Sequence, residues 1–498
     1  MKKLSGFIII AAVVLSGCSK GYYDINNNPN NSTNASVDLV LANALKTTGA
    51  TPLNNFQFLS EWMNYWAPSG SYAVNSSDGA SYHEDQGTAD GNGLWSNYYN
   101  NLEDYDYVEK TATASGQYFY IAAAKTLKAY LYQQLVDMFD KVPYTEALKG
   151  TANLTPKYDN GQDIYEALST DLGAAVVLFQ RADAVGSATQ DVLFAGNNSK
   201  WAKFANTLRL RILMRQTQMA GRAAYIQAEI NKIVANGSGF STVDAGVNPG
   251  YSNSSGKQNP FYGFCINTAG TYTQDFWRAC KYPITFCQAN NDPRYTRWYA
   301  PIPSPPAAPN TYVGCVVGAA SGNPVGSGSS TFGPGLLVTV GQPSIIMSAA
   351  ESYFLQAEAG LRGWIANTPQ TMFNNGVQAS FTYLGAGSSA AYTSQAGNKQ
   401  TNYGACVTFN EQLNSIIRQK WLANNTVTPF ESWCDYRRLF SLGLTAITEP
   451  PLSVSSFLNG PNVPVRILYP LIEYQSNATN APAQGSLAHF TSKVFWNQ

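Results

Sequence analysis

The chain has 498 residues, with 31 Lys and Arg against 31 Asp and Glu, so its formal net charge is zero. This balance leaves no surplus of positive charge to attract nucleic acid. Charged residues make up only 12% of the chain, about half the usual share. Aromatic residues reach 13%, with 31 Tyr and 10 Trp, a composition that suits an extracytoplasmic protein meeting sugars or peptides.

The N-terminus has the layout of a secretory signal. Lys2 and Lys3 precede an apolar run over residues 4–15, which is too short to span a bilayer as a helix. The run ends in Leu-Ser-Gly-Cys at residues 15–18, which resembles the lipobox of bacterial lipoproteins. We therefore expect a signal peptide at 1–17, lipidation of Cys18 and an Asn-rich tether up to residue 36. The alternative is an ordinary cleaved signal with a cysteine nearby.

Helical periodicity dominates much of the remaining chain. In residues 118–139, apolar residues recur at helical spacing, and Pro143 follows the end. Residues 200–218 repeat the pattern from Trp201 onward, with Arg209, Arg211 and Arg215 nearby. Two further helices are predicted at 410–424 and 429–440.

Residues 348–385 predict two helices joined by a short turn. Ser348 and Glu351 match a capping box, and Gly363 is a suitable stop. Pro369 suits a new helix start, and Gly385 ends the apolar pattern that follows. Such a pair is an αα-hairpin. The signature residues of tetratricopeptide repeats do not recur at a fixed period.

Two regions break the helical pattern. Residues 56–93 are loop-like and rich in aromatic residues, and residues 237–343 are rich in Gly, Pro, Ser and aromatic residues. The stretch APIPSPPAAPN at 300–310 cannot be helical. Long irregular regions within a compact protein are usually functional.

Several chemistries are disfavoured by the sequence. His83 and His489 are the only histidines and lie in no zinc-binding spacing, so we expect neither a metal nor a histidine-based triad. Phosphate-binding glycine motifs are absent from the sequence. Besides Cys18, six cysteines could form disulfides or remain buried thiols; a Cys406–Cys434 bond is slightly favoured because both lie in one local segment.

Several segments, in order, resemble the SusD/RagB-like outer-membrane lipoproteins of Bacteroidetes. The similar segments run from near Cys18 to Asn480, and residues 237–343 match none of the family's motifs. They are DINNNPN from Asp24, AAAKTLKAYLYQQLVDMFDKVPYTEAL from Ala122, WAKFANTLRLRILMR from Trp201, AESYFLQAEAGLRGW from Ala350, IIRQKWLANN from Ile416, FESWCDYRRL from Phe430 and VPVRILYPLIEYQSNATN from Val463.

The resemblance implies a mainly α protein: one domain at 37–498 with a tetratricopeptide-like helix-pair scaffold and an irregular, loop-rich ligand-binding lobe near 237–343. It implies a non-enzymatic lipoprotein of the outer membrane, facing the exterior, without a cofactor. Such a protein binds an oligosaccharide or a peptide and passes it to a SusC-like TonB-dependent β-barrel transporter. The alternatives are a secreted glycan-degrading enzyme on a helical scaffold and a structural surface lipoprotein.

The motif residues are interpreted as scaffold, because buried Arg–carboxylate pairs fix helix register. This group comprises Trp201, Trp421, Glu358, Arg362, Arg437 and Arg438. Ligand contacts are expected instead from aromatic residues of the irregular regions, whose flat rings can cover a sugar face. The candidates are Trp66, Tyr72, Tyr82, Trp277, Tyr282 and Trp298, and the alternative for each is packing beneath long loops.

Overall fold

Helices form most of the structure. The computed structural model describes residues 35–72, 78–82, 93–302, 311–439 and 450–497. The predicted signal peptide, Cys18 and most of the tether lie outside these residues. The helices are α1 Val37–Asn55, α2 Gln57–Trp62, α3 Asp78–Ser81, α4 Ser96–Ser115, α5 Tyr118–Phe139, α6 Gly161–Phe179, α7 Asn198–Arg215, α8 Ala223–Ala235, α9 Pro260–Cys265, α10 Lys281–Ala289, α11 Tyr295–Trp298, α12 Ala349–Leu361, α13 Pro369–Leu384, α14 Ala390–Thr393, α15 Phe409–Asn424, α16 Pro429–Leu439 and α17 Leu471–Ser476.

Strands in the described residues are short and pair only two by two. All three pairs are antiparallel: β1 with β5, β2 with β3, and β4 with β6. The mainly α fold class is thus confirmed. The strands are β1 Trp66–Pro68, β2 Val142–Pro143, β3 Tyr158–Asp159, β4 Ala245–Val247, β5 Trp277–Ala279 and β6 Ser344–Met347.

The predicted helix pair at 348–385 is confirmed as α12 and α13, which pack against each other. Phe354 of α12 and Phe373 and Phe381 of α13 are buried in the cluster between them. Gly385 ends α13 with φ +66°, a left-handed conformation that favours glycine. The capping box is only half formed at α12. Ser348 accepts a hydrogen bond from the Glu351 N–H, whereas the Glu351 carboxylate pairs with an arginine of another helix.

Consecutive helices also pack as neighbours in the first half of the chain. The pairs α4–α5, α5–α6 and α6–α7 make the most extensive contacts there, and α1 lies against α4. Helix α5, predicted from its periodicity, is buried along nearly its whole length. This stack of helices forms the scaffold on which the irregular lobe rests.

A buried network of charged side chains joins four scaffold helices. Arg211 of α7 makes two bonds of 2.8 and 3.0 Å to Glu351 of α12 and approaches Glu431 of α16 at 3.4 Å. Arg215 of α7 also reaches Glu431, and it contacts Asp137 of α5 at 3.3 Å.

A second buried pair links α16 with α12. Arg438 donates to both carboxylate oxygens of Glu358, at 2.6 and 2.8 Å. Arg362 pairs with the same carboxylate. The interpretation of these motif residues as scaffold agrees with this geometry, because planar bidentate pairs fix the helices' relative positions.

The predicted Cys406–Cys434 disulfide is wrong. All six cysteines of the described residues are free and buried. The Cys406 thiol lies near the carbonyls of Lys399 and Asn402, whereas the Cys434 thiol lies beside Asp137 and Arg437. Proximity in sequence misled the prediction, because α15 carries the chain from one environment to the other.

No helix among the described residues is long and apolar enough to cross a membrane.

Candidate functional site

A polar groove of about 630 Å³ lies between helix α1 and the loop segment 251–263. We call it the amide groove, because Asn and Gln are its most frequent lining residues. The groove lies where the helical scaffold meets the irregular lobe. Its lining residues are Asn43, Lys46, Thr47, Ala50, Thr51, Asn54, Asn97, Tyr251, Gly256, Gln258, Asn259, Pro260 and Gly263.

The helix wall of the amide groove is one face of α1. Asn43, Lys46, Thr47, Thr51 and Asn54 recur at spacings of three and four residues, so they share a side of the helix. The opposite face, including Leu41, Ala44 and Leu45, is buried in the core. Burial of that apolar face fixes the direction in which the polar stripe points.

The loop wall is held by Asn259, which caps helix α9. Its Oδ1 accepts from the Tyr262 N–H at 3.0 Å, and its Nδ2 donates to the Gln342 carbonyl at 2.9 Å. Pro260 occupies the first turn of α9, where a missing N–H costs nothing. Asn259 therefore positions the wall, and its own polar groups are already bonded.

Tyr251 is the aromatic residue among the described lining residues. Its hydroxyl is buried and has no hydrogen-bond partner among the described residues. Burial raises the pKa of Tyr251 to about 12, so the phenol stays neutral at physiological pH and can both donate and accept. An unbonded buried hydroxyl is costly, and this oxygen is shielded from solvent, so the empty groove does not present it at its surface.

An aromatic cluster supports the loop wall from below. Trp66 of β1 stacks on Phe264 of α9, with ring centroids 6.3 Å apart and an interplanar angle of 19°. Phe261 of α9 and Phe332 also contact the Trp66 ring, at 6.0 and 4.9 Å. The cluster therefore anchors α9, and α9 follows directly from the groove-lining loop.

Strands β1 and β5 bring the two irregular regions of the sequence together. Trp66 pairs with Ala279, and Pro68 pairs with Trp277. The Trp277 ring lies 5.8 Å from Trp66, and its Nε1–H donates to Gln57 at 2.9 Å. Trp66 and Trp277 are both buried, so they pack the lobe together.

Tyr82 and Trp298 are also fully buried. The Tyr82 hydroxyl accepts from the Ser453 N–H at 2.7 Å, and burial raises its pKa to about 12. The Trp298 ring covers the guanidinium of Arg294 at 5.5 Å. Both side chains therefore pack inside the core in this structure.

Tyr282 is partly buried, and Tyr72 is the candidate with the most exposed side chain. The Tyr282 hydroxyl accepts from Arg418 at 2.9 Å. Tyr72 is 40% exposed, and its ring packs at 5.0 Å on Phe276. Its hydroxyl donates to Asp275, and this bond raises the pKa of Tyr72. Ligand contact by all six candidates remains a prediction, and exposure favours Tyr72 among them.

The amide groove was missed by sequence reasoning, although its loop wall lies inside the predicted ligand lobe. The polar stripe of α1 was the available signal, since its spacing marks one helix face. A polar helix face is usually solvent-exposed, however, so the stripe alone does not indicate a site. Within the residues that the structure describes, no group of His, Cys, Asp and Glu could hold a metal.

The fold is a helical scaffold with an irregular lobe, and the amide groove lies between the two. The chain belongs to the SusD-like family, described as starch-binding and associating with the outer membrane, whose model matches residues 29–470. No curated protein sequence matches the chain.

Solved structures of SusD homologues share the fold. A homologue from Bacteroides vulgatus is 20% identical with a TM-score of 0.73, covering 92% of this chain and 97% of its own. A chitin-binding SusD homologue from Flavobacterium johnsoniae is 22% identical with a TM-score of 0.74, covering 92% and 98%. A further chitin-binding protein is 26% identical with a TM-score of 0.72, covering 93% and 99%.

Proposed function

We propose that the protein is a surface-exposed outer-membrane lipoprotein, anchored through Cys18, that binds an oligosaccharide in the amide groove. It then passes the ligand to a SusC-like TonB-dependent β-barrel transporter. The observation that carries the proposal is the lining of the groove, where amides, hydroxyls and one tyrosine ring face a space of about 630 Å³. Membership of the family and the similarity to two chitin-binding proteins also support an oligosaccharide as the ligand.

The chemistry of the lining fits a sugar. Asn and Gln side chains both donate and accept hydrogen bonds, which matches the hydroxyls around a sugar rim. Tyr251 lines the groove, and an aromatic ring suits the C–H face of a sugar. A peptide could use the same amides, so unrelated peptides have to be tested beside the oligosaccharides.

The described lining does not support hydrolysis. A glycosidase needs two carboxyl groups flanking the scissile bond, and the described lining residues of the amide groove include no Asp or Glu. We therefore propose capture and delivery rather than the alternative of a glycan-degrading enzyme.

The direct test is Tyr251→Phe. This variant removes a hydroxyl that has no partner in the described part of the chain, so its melting temperature should stay equal to that of the wild type or rise. In the proposed complex the sugar displaces the groove wall far enough to bond this hydroxyl, so the affinity of the variant for the oligosaccharide should fall by about twofold to twelvefold, the value of one net hydrogen bond of about 0.5–1.5 kcal/mol. Calorimetry against a panel of oligosaccharides and unrelated peptides measures both the ligand class and the loss.

Two control variants locate the site. Tyr107→Phe removes a hydroxyl that donates to the Ala35 carbonyl at 2.9 Å, away from the lining of the groove, and should leave affinity unchanged. Tyr72→Ala tests the exposed aromatic candidate. Loss of binding in Tyr72→Ala together with full affinity in Tyr251→Phe would place the ligand at Tyr72 and would contradict binding in the amide groove.

The transporter is tested separately. Purification of the tagged lipoprotein in mild detergent should recover a large β-barrel in stoichiometric amount. Recovery of the lipoprotein alone, under conditions that preserve its ligand affinity, would contradict the delivery step and leave the binding step standing.

A further inference from the structure

We infer that Cys280 and Cys315 form a disulfide bond once the chain reaches an oxidising compartment. This inference uses only the export step of the proposed function and does not depend on the ligand or on the amide groove. Both thiols are free in this structure, so the bond would be a covalent modification of the protein described here. It is carried by the register of two backbone segments inside the irregular lobe.

The two cysteines face each other across an isolated parallel β-bridge. The Cys315 N–H donates to the Ala279 carbonyl, and the Lys281 N–H donates to the Cys315 carbonyl, both at 2.8 Å. Neighbouring strands lie about 4.7–4.9 Å apart, and a disulfide requires two Cα atoms that are about 4.4–6.8 Å apart. The spacing of the two backbone segments therefore suits the bond.

The side chains of the pair share one apolar environment. Cys280 and Cys315 are both buried and belong to one small hydrophobic cluster, which also includes Ala67 of β1. The Cys280 thiol lies 3.5 Å from Asn64 Oδ1, and the Cys315 thiol lies 3.9 Å from the Pro324 carbonyl. Because a thiol is a weak donor, rotating the two side chains toward each other breaks no strong hydrogen bond.

The other cysteines lack this arrangement. Among the described residues, no other two cysteines pair across a bridge or a strand. The Cys406 thiol lies near backbone carbonyls, the Cys434 thiol lies beside Asp137, and the Cys287 thiol lies beside Asp292. The inference therefore concerns one pair and leaves the remaining four cysteines as thiols.

Formation of the bond releases two protons and two electrons, which a disulfide-bearing oxidant accepts. One cysteine thiolate attacks the disulfide of the oxidant and releases one of its thiols, and the second thiolate then attacks the mixed disulfide and releases the other. The bacterial periplasm supplies such oxidants to exported chains. Burial raises the pKa of the Cys280 and Cys315 thiols, so few thiolates are present after folding. The exchange is therefore expected while the lobe folds, before the pair is buried.

The bond would close residues 281–314 into a loop that contains α10 and α11. Strand β5 ends at Ala279, directly before Cys280, so the cross-link would also hold the β1–β5 pair against the returning chain. A cross-link over a long loop stabilises the folded state mainly by restricting the unfolded chain. For a loop and a domain of this size, reduction of the bond should lower the melting temperature by about 4 °C.

Peptide mapping tests the bond directly, because trypsin separates the two cysteines from all others. Cleavage at Lys and Arg leaves Cys280 in the peptide 279–281 and Cys315 in the peptide 298–362, each without a second cysteine. The exported protein is isolated without reductant, alkylated in denaturant and digested. The two peptides should be recovered as one cross-linked species, whereas the remaining four cysteines should be alkylated.

Melting temperatures provide a second measurement. Wild-type protein that has been reduced in denaturant and refolded with reductant should melt about 4 °C below the oxidised protein. Cys280→Ala and Cys315→Ala should each abolish this difference between the two preparations. The matched control is Cys265→Ala, which removes a buried cysteine outside the pair and should retain both the cross-linked peptide and the difference.

The outcomes separate this inference from the proposed function. Alkylation of both Cys280 and Cys315 in the exported protein would overturn the inference and leave anchoring and ligand binding standing. A cross-link between other cysteines would also overturn it. If the chain is found only in the cytoplasm, the proposed function fails, and refolding of the reduced chain with oxidised glutathione decides the inference. Recovery of the same cross-linked peptide would then support it, and two alkylated cysteines would contradict it.

Discussion

The buried charge network gives a stability prediction that can be worked from its bonds. Arg211→Met replaces a guanidinium that is buried together with its partner, Glu351. The substitution removes both bonds to Glu351 but leaves Arg215 bound to Glu431. Only Glu351 is therefore left as a buried carboxylate without its cation. Breaking a buried pair from one side costs about 3–5 kcal/mol, so we expect a loss of that size in the free energy of unfolding.

A matched control uses an exposed pair. Arg181 binds Asp183 at 2.7 Å, with side chains 42% and 58% exposed, so Arg181→Met should cost about 1 kcal/mol or less. Urea denaturation followed by circular dichroism measures both variants. Equal losses in Arg211→Met and Arg181→Met would refute the reasoning.

The same variant has a pH signature. Burial raises the pKa of Glu351, and Arg211 opposes that rise. Without Arg211, the folded-state pKa lies further above the unfolded value, so stability is retained at low pH and lost as pH rises. The cost of Arg211→Met should therefore be larger at pH 8 than at pH 5. Adding Glu351→Leu should recover much of the loss, since no orphaned charge then remains.

Two further predictions concern the loss of folding stability at acidic pH and the lipid anchor at Cys18. Burial alone would raise the pKa of Asp435, but the charges of Lys420 and Arg438 outweigh burial and lower it to about 2. The folded-state pKa is thus below the unfolded value, and Asp435 contributes about 2–3 kcal/mol above pH 4 that is lost as pH falls toward 2. Urea unfolding from pH 7 to pH 2 should show this loss in the wild type and a smaller one in Asp435→Asn; identical pH slopes would contradict it. Cys18→Ala should remove fatty-acid labelling and shift the protein out of the membrane fraction, and unchanged labelling would contradict lipidation at this residue.

The scaffold could be predicted because its signals are local. Residues 118–139 form α5 with the predicted ends, and Pro369 and Gly385 bound α13 as their conformational preferences require. The sequence predicted that buried Arg–carboxylate pairs would link helices, but not which residues would form this network. Arg211 and Glu351 are 140 positions apart, and no spacing in the sequence joins them. The resemblance to a family placed both residues in motif segments, and only the folded structure showed that they pair.

The aromatic candidates show why the site was harder to predict. An aromatic residue in an irregular region can either cover a ligand or pack a lobe that lacks long helices. Trp66 and Trp277 are brought together by strands of three residues each, too short to give an alternating pattern in sequence. Their burial depends on that pairing, which sequence reasoning had no means to anticipate.

The two walls of the amide groove are stabilised by different parts of the molecule. Helix α1 is fixed by its buried face, including Leu41 and Leu45, whereas most of its polar stripe, including Lys46 and Thr47, is exposed. The loop wall depends on the cluster around Trp66, which holds α9 while residues 252–257 remain exposed. Substitutions at the exposed stripe and in the exposed loop are therefore expected to leave the scaffold stable, and under the proposed function they would change which ligand binds. If the proposed function holds, this separation lets ligand choice change during evolution, because the residues that would contact the ligand are not the ones that stabilise the fold.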